Sequence, residues 1–212
     1  LLNGKMVYCC SDSTVSTVGS KSAEGKMSPR NMLTTTIGDE LKIATDFKAK
    51  VIGVSLKDRA AILPAGHAAD GAYWIDYSTG TFISSTYYMK ELPKWVVDYN
   101  KSIGKVTKDQ ICYTPLGNKI TEEMAKAAVA GEQLGGDNVT DLLTVSFSCT
   151  DMIGHKYGTH SDKTCEIYVD LDKRLADLFG YLDQNVGKDQ YLVFLMADHG
   201  AANSILLSRE HG

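Results

Sequence analysis

An apolar run that ends in an acid, an imidazole and a glycine constrains this chain more than any other stretch. Residues 191–196 read Tyr-Leu-Val-Phe-Leu-Met, and Asp198, His199 and Gly200 follow closely. An unbroken run of this length, which begins after a polar turn, predicts a strand buried on both faces of a parallel sheet. Functional side chains gather at the carboxyl ends of such strands. Asp198 and His199 are therefore candidate zinc ligands, and the alternative is a helix cap followed by a surface histidine.

A second apolar run, residues 50–56, predicts another buried strand, and it leads into Lys57, Asp58 and Arg59. If the extended backbone continues, the side chains of Lys57 and Arg59 point to the same side. These two residues are called the cationic pair below. Neighbouring cations repel each other unless an anion lies between them. Phosphate is the natural candidate, because Arg can bind two of its oxygens while Lys acts as a point charge. The alternative is a solvated turn with scattered charges.

The run of residues 140–149 predicts a third strand, and it leads into Asp151 and His155. Their four-residue spacing, with a glycine in the turn, allows both side chains to bind one ion. The alternative is again a helix cap and a surface histidine. A strong helical stripe follows, which we expect to pack on the sheet, and it consists of Leu171, Leu175, Leu178, Phe179 and Leu182. A right-handed crossover through this helix would bring the loops after the 140–149 and 191–196 strands to one edge.

Other segments predict helices and a hairpin. Ser28 and Pro29 indicate the N-cap and first residue of a helix, whose apolar face would hold Leu33, Ile37, Leu41 and Ala44. Further helices are expected after Pro93 and from about Asn118.

Residues 72–76 and 81–88 are separated by a turn sequence and predict a β-hairpin. We expect this hairpin to decorate the main sheet rather than to join its centre. The expected organisation is therefore a single, partial domain over residues 1–212, with residues 66–113 as the decorating hairpin and insert region.

The composition argues against several classes of partner. A net charge of −4, with no stripe of Lys or Arg, argues against nucleic acid. No apolar stretch reaches the ~20 residues that cross a bilayer, and the first residues lack the pattern of a signal peptide. The five cysteines match no zinc-ribbon or redox motif, and the neighbours Cys9 and Cys10 are badly placed to pair with each other.

Two Asp/His pairs supply too many ligands for one catalytic zinc that must keep an open position. They fit two ions about 3.5–4 Å apart, an arrangement used for in-line displacement at phosphorus. These four residues are called the rim ligands below: Asp151, His155, Asp198 and His199. The sequence therefore predicts a two-metal phosphoryl-transfer site that faces the cationic pair.

Five motifs, in the same order along the chain, make it resemble the alkaline phosphatase superfamily, and within it the phosphate-irrepressible, PafA-type branch of bacterial enzymes. The motifs are residues 28–31, 53–60, 63–67, 150–155 and 197–200. The resemblance implies an α/β fold, a three-layer α/β/α sandwich with a mainly parallel central sheet, plus the hairpin excursion and incomplete at both ends. It also implies a monomeric, periplasmic or secreted enzyme that hydrolyses small-molecule phosphate monoesters with two Zn²⁺ ions.

The same resemblance gives each site residue a role. Asp151 and His155 would bind the first zinc ion, and Asp198 and His199 the second. The cationic pair would bind the non-bridging phosphate oxygens, as catalytic and substrate-binding residues, and would favour monoesters over diesters.

The chain also departs from the pattern of this branch. The threonine nucleophile, which would form a phospho-threonine intermediate, has no counterpart in this chain. The same is true of one metal-binding Asp, one substrate-contacting Asn and one further zinc-binding His. A longer family segment would lie where this chain has residues 101–113. We therefore expect a core fragment that is inactive alone. The alternatives are a phosphodiesterase or nucleotide pyrophosphatase of the same superfamily, and a non-catalytic metal- or phosphate-binding module.

Overall fold

The computed structural model describes residue 4 and residues 6–202 of the protein. Five strands lie in this part of the chain: β1 (Thr17–Val18), β2 (Val51–Ser55), β3 (Gly71–Asp76), β4 (Thr81–Ser85) and β5 (Leu142–Ser146). The α-helices of the same part are α1 (Ile37–Ala44), α2 (Asp58–Ala65), α3 (Lys94–Ile103), α4 (Lys108–Tyr113), α5 (Pro115–Glu132), α6 (Cys149–Tyr157) and α7 (Asp162–Leu182). A π-helical turn, Asp183–Gly187, follows α7.

The strands form one mixed sheet in the order β1-β4-β3-β2-β5. β2 pairs in parallel with β3 and β5, whereas β4 runs antiparallel to β3 and β1. The predicted hairpin is confirmed, because β3 and β4 are its two arms. Its expected position outside the centre of the sheet was wrong: every residue of β3 is buried, and β3 is the hydrogen-bonding neighbour of β2. The division of the chain into a domain and an insert region stays a prediction.

Side chains of the central strands alternate between two apolar cores, one on each face of the sheet. The core next to α5 includes Ile52, Val54, Leu56, Tyr73, Ile75 and Met124. The core next to α2 includes Ala61, Ile62, Ala72, Trp74 and Ile83. At Gly53 a Cβ would lie 2.1 Å from the carbonyl oxygen of Ala61, so the glycine allows α2 to lie directly on the sheet. The predicted three-layer architecture is confirmed.

The long amphipathic helix predicted from the Leu171 stripe is confirmed as α7, but its packing is not the one expected. It packs on α5 and α6 rather than on the sheet. The reason is that α5 already covers β2 and β5 on that face. Arg174 of α7 forms an ion pair of 3.2 Å with the buried Glu122 of α5.

The first helix begins eight residues later than Pro29 predicts, at Ile37. Thr36 and Asp39 form a reciprocal capping box there, which satisfies two backbone N–H groups at the start of α1. Ser28 begins a single turn rather than a helix: its hydroxyl accepts the Arg30 N–H at 3.2 Å and donates to Asp12 at 2.7 Å.

The apolar face expected on this helix is not buried. The side chains of Leu33 and Ile37 are 99% and 75% exposed, whereas α1 buries Gly38, Asp39 and Lys42. The helix packs on α2 through this small and polar face, where a Cβ at Gly38 would lie 2.3 Å from the Ala65 carbonyl oxygen. On the same face, Lys42 donates to the carboxylate of Asp70 at 2.8 Å.

The strand predicted over residues 191–196 is absent from the described chain. Leu192, Phe194, Leu195 and Met196 are 77–81% exposed, and the segment has no strand pairing. A strand needs a neighbour for its backbone N–H and C=O groups. The outer edge of β5, which pairs only with β2 among the described strands, is open, but residues 191–196 do not pair with it. The expected strand–helix–strand crossover is therefore wrong as a description of this structure.

Among residues 4 and 6–202, no helix combines the length and apolar character needed to cross a membrane.

All five cysteines are free thiols. Cys9 and Cys10 remain unpaired, as their spacing predicts, with their sulfur atoms 3.9 Å apart.

Candidate active site

The parallel pairing of β2 and β5 places two chain exits at the same edge of the sheet. Ser55 is paired with Ser146, so Lys57 and Ser148 lie at equivalent positions two residues further on. The Ser55 hydroxyl donates to the Ser146 carbonyl at 3.1 Å and accepts the Lys57 N–H at 3.2 Å. It also lies 3.2 Å from the hydroxyl of Ser148. These buried serines fix both exits relative to each other.

Asp151 and His155 lie one turn apart on α6, not in a loop as the sequence pattern suggested. The helix begins at Cys149, directly beyond β5, and residues four apart in a helix share a face. The His155 Nε2 atom is 3.1 Å from the Asp151 Oδ1 atom. The side chains of Asp151 and His155 therefore converge as predicted, because both residues lie on one face of α6.

Lys57 also contacts Asp151, so Lys57, Asp151 and His155 form one cluster of charged and imidazole side chains. Its ammonium group is 2.5 Å from the Asp151 Oδ2 atom, and both side chains are largely shielded from solvent. Partial burial raises the pKa of the Asp151 carboxyl, but the hydrogen bond and charge of Lys57 outweigh it, and the net effect is a lowered pKa. The loop after β2 and the helix after β5 are thus joined by a charged contact.

His199 reaches this cluster from the far end of the described chain. Its Nε2 atom is 3.8 Å from the Asp151 Oδ1 atom and 3.6 Å from the Asp198 Oδ2 atom. A hydrogen bond with the Gly200 carbonyl, followed by the charge of Asp198, raises the pKa of the His199 imidazole. Asp198 contacts its neighbour His199 but lies outside the cluster, with its side chain 89% exposed.

Arg59 has a different partner. β2 ends at Ser55 and α2 begins at Asp58, so the extended backbone assumed for the cationic pair does not continue. One Nη atom of Arg59 lies 3.3 Å from the hydroxyl of Tyr8, and that hydroxyl donates to the Asp58 carboxylate at 2.5 Å. The hydrogen bond to Tyr8 is the main cause of the raised pKa of Arg59. Within the described chain, no carboxylate lies within ion-pair distance of the guanidinium.

No sequence pattern indicates a role for three residues of this site, Tyr8, Ser55 and Ser148. Tyr8 lies in an irregular segment fifty positions before Asp58, and no spacing motif links it to the cationic pair. The serines are ordinary small residues at the end of an apolar run. Only the sheet register, which the sequence did not specify, brings them together.

The carboxylate and imidazole groups at this edge of the sheet are suitable ligands for a divalent metal ion. Carboxylate oxygens and imidazole nitrogens are zinc ligands, and Asp151 lies within 3.1 Å of one imidazole and 3.8 Å of another. Over residues 4 and 6–202, however, no group of three or more His, Cys, Asp or Glu side chains is arranged to hold a metal. The identity and number of the metal ions therefore stay predictions.

Comparisons with known proteins confirm the resemblance to alkaline phosphatases. The chain is 44% identical to alkaline phosphatase PafA of Elizabethkingia meningoseptica over 258 residues, which covers 98% of this chain and 47% of that protein. It is 43% identical to alkaline phosphatase PhoV of Synechococcus elongatus, over 94% of this chain and 45% of the relative. The chain thus spans about half the length of the curated relatives it matches.

The fold is similar to a solved structure. The crystal structure of wild-type alkaline phosphatase PafA matches 99% of this chain and 50% of its own chain, with a TM-score of 0.94 and 44% sequence identity. A sequence model of the type I phosphodiesterase / nucleotide pyrophosphatase family matches residues 29–205, well over half of the chain. Sequence and fold therefore agree, and the chain belongs to the type I phosphodiesterase / nucleotide pyrophosphatase family.

Proposed function

We propose that the protein hydrolyses phosphate monoesters with two Zn²⁺ ions, through a phospho-threonine intermediate whose threonine lies outside this chain. The observation that carries the proposal is the convergence of Lys57, His155 and His199 on the Asp151 carboxylate at one edge of the sheet. The similarity to proteins named alkaline phosphatases supports the same reaction class.

The rim ligands are the residues that would hold the metal ions, with Asp151 and His155 for one ion and Asp198 and His199 for the other. Zinc at such a site supplies a Lewis acid that stabilises charge on oxygen. The protein's own residues hold the Lys57 side chain in place. Asp151 holds the Lys57 ammonium at the rim, and the serines beneath it fix the backbone from which Lys57 projects.

The cationic pair, Lys57 and Arg59, supports the proposal that the substrate is a phosphate monoester rather than a diester. A phosphate monoester carries two negative charges on its non-bridging oxygens, whereas a diester carries one. Two cations therefore interact more strongly with the monoester, and more so where charge accumulates in the transition state. Arg59 retains free donors for this purpose, since its described contact is one neutral hydroxyl.

A phosphodiesterase or nucleotide pyrophosphatase is the second candidate, because the matching family model carries that name. The same metal ligands would serve a diester, so the distinction depends on how strongly the cationic pair contributes. A phosphodiesterase would depend weakly on these two charges.

We also propose that the protein is monomeric and works in the periplasm or outside the cell, as expected for the phosphatase branch it resembles. Cell fractionation would detect it outside the cytoplasm, and light scattering would give the mass of one chain.

The test compares two substrates. The protein is expressed from its complete coding sequence with zinc and assayed with p-nitrophenyl phosphate and bis(p-nitrophenyl) phosphate. The double variant Lys57→Ala/Arg59→Ala should lose about 100-fold or more in kcat/KM on the monoester, because two charged hydrogen bonds are removed. The loss on the diester should be much smaller. The matched control is Lys94→Ala/Lys101→Ala, which removes two exposed lysines of α3.

Equal losses on the two substrates would contradict the assignment of the cationic pair. Faster turnover of the diester by the unmodified protein would favour the phosphodiesterase. Zinc binding without turnover of either substrate would identify a non-catalytic binding module.

A further inference from the structure

The hydroxyl of Tyr8 lies between the two residues that begin α2. It donates to the Asp58 Oδ1 atom at 2.5 Å and accepts a hydrogen bond from an Nη atom of Arg59 at 3.3 Å. Tyr8 lies far from α2 in the sequence, so this contact has to be built by the fold. The Tyr8 side chain is 38% exposed, which leaves one side of the arrangement open to solvent.

The backbone that carries Tyr8 is tied to the rest of the molecule. Its carbonyl oxygen accepts hydrogen bonds from the Ser11 N–H at 3.1 Å and from the Asn31 side-chain amide at 3.4 Å. Two residues later, the Cys10 side chain is fully buried, and its carbonyl accepts the Ser28 N–H at 2.8 Å. The position of the Tyr8 ring over α2 therefore depends on several contacts, not on the phenol alone.

The two cations at this rim are held in different ways. The ammonium of Lys57 is paired with a carboxylate, Asp151, which neutralises part of its charge. The guanidinium of Arg59 is held by a phenol, which orients it without neutralising it. Asp58 accepts the phenolic proton, so an oxygen lone pair of Tyr8 faces Arg59. Burial and the hydrogen bond to Asp58 raise the pKa of Tyr8, so the phenol stays neutral at physiological pH.

A guanidinium has five N–H donors in a planar fork, and one hydrogen bond to Tyr8 leaves enough of them for a bidentate contact with phosphate. A flexible arginine would have to lose side-chain freedom when it binds, which weakens binding. Orientation before binding avoids part of that loss.

We propose that Tyr8 is a positioning residue that fixes the guanidinium of Arg59 for the phosphoryl group of the substrate. This inference deepens the proposed function and rests on it, because it takes Arg59 as a phosphate ligand. Tyr8 acts through Arg59 and does not itself touch the reacting atoms.

The experiment uses the ¹⁵N-labelled protein, expressed from its complete coding sequence, and inorganic phosphate as the probe. The Nε–Hε NMR signal of Arg59 is identified by its loss in Arg59→Lys. In Tyr8→Phe this signal should shift and its exchange with solvent should become at least several-fold faster. The Kd for phosphate should rise about five-fold, the equivalent of one hydrogen bond.

Tyr87→Phe is the matched control. Tyr87 is 39% exposed, nearly the same as Tyr8, and its hydroxyl donates to the backbone carbonyl of His67 at 3.0 Å. His67 lies just beyond the C-terminal end of α2, whereas Arg59 lies at its N-terminal end. The control variant should leave both the Arg59 signal and the Kd unchanged.

A double-mutant cycle separates positioning from general destabilisation. If Tyr8 acts through Arg59, Tyr8→Phe should change the phosphate Kd by less than two-fold in the Arg59→Lys background.

The proposal is overturned if Tyr8→Phe leaves the Arg59 signal unchanged, or if its effect on Kd persists in the Arg59→Lys background. Failure of the proposed function gives a different result: Arg59→Lys would then bind phosphate as the wild type does. In that case the Arg59 signal alone decides whether Tyr8 fixes the guanidinium.

Discussion

At the residue scale, one buried acid organises the irregular segment before α1. Asp12 is 4% exposed, accepts the Ser28 hydroxyl at 2.7 Å, and accepts both the N–H and the hydroxyl of Thr14 at 2.9 and 2.6 Å. The hydrogen bonds from Thr14 and Ser28 lower the pKa of Asp12 from 3.8 to about 2. Because the pKa is lowered on folding, this carboxylate stabilises the fold fully above pH 3.8, and the contribution disappears as pH falls toward 2.

The variant Ser28→Ala tests this cluster. It removes a hydrogen bond to a charged group, so we expect a loss of about 2 kcal/mol in the free energy of unfolding at pH 7. The pKa of Asp12, followed by ¹³C NMR of its carboxyl carbon, should move up toward 3.8.

Ser102→Ala is the matched control for that variant, since the Ser102 hydroxyl donates to the Tyr99 carbonyl, which does not titrate. It should leave the pKa of Asp12 unchanged. An unchanged pKa in Ser28→Ala would show that Ser28 does not stabilise the carboxylate.

At the element scale, the start of α1 depends on Thr36. Thr36→Ala removes the side-chain half of the capping box, so we expect a loss of about 1 kcal/mol in unfolding free energy, measured by urea denaturation. The exposed neighbour Thr35 gives the control variant Thr35→Ala, which should change stability little. Equal effects of the two substitutions would mean that the helix does not begin where the structure places it.

The contrast between Ser28 and Thr36 shows what the sequence could and could not predict about elements. β2, β5 and α7 followed from apolar runs and from helical periodicity, which are local properties. Ser28-Pro29 had the right local chemistry for a helix start, and Ser28 does accept the Arg30 N–H, but the segment forms only one turn, and the Ser28 hydroxyl donates to Asp12. The contact with Asp12 joins residues sixteen positions apart, which no local pattern contains.

The prediction of a strand over residues 191–196 was wrong for a related reason. Its composition suits a buried strand, but composition does not decide whether the segment pairs with the open edge of β5, which is a matter of tertiary structure. The same limit applies to the site. The four-residue spacing predicted that the side chains of Asp151 and His155 converge, and they do, but on one turn of α6 rather than in the expected loop. The Tyr8 contact depended on tertiary structure and could not be predicted.

At the scale of the whole molecule, zinc should stabilise the chain, because its proposed ligands come from α6 and from the segment after α7. We expect the thermal midpoint to rise when Zn²⁺ is added. At about 100 times its Kd, a bound ion contributes about 2.7 kcal/mol, which corresponds to roughly 5–10 °C for a chain of this size. Differential scanning calorimetry with and without zinc measures the shift.

Asp151→Asn should reduce this zinc-dependent shift by more than half, since it removes the carboxylate shared by the cluster. The comparison uses the zinc-dependent shift of each variant, because the substitution also removes the Lys57 ion pair. His160→Gln, a change at another exposed histidine near α6, is the control. Identical shifts in both variants would argue against a metal at Asp151.

The exposed side chains of residues 191–196 also determine how the purified chain behaves. An exposed apolar surface is formed by Leu192, Phe194, Leu195 and Met196. In addition, β5 is the edge strand of the described sheet, and its outer edge pairs with no further described strand. Both features promote edge-to-edge association between molecules. Concentrated samples of this chain should therefore aggregate on storage, and a solubility tag or a mild detergent will be needed to keep them monodisperse.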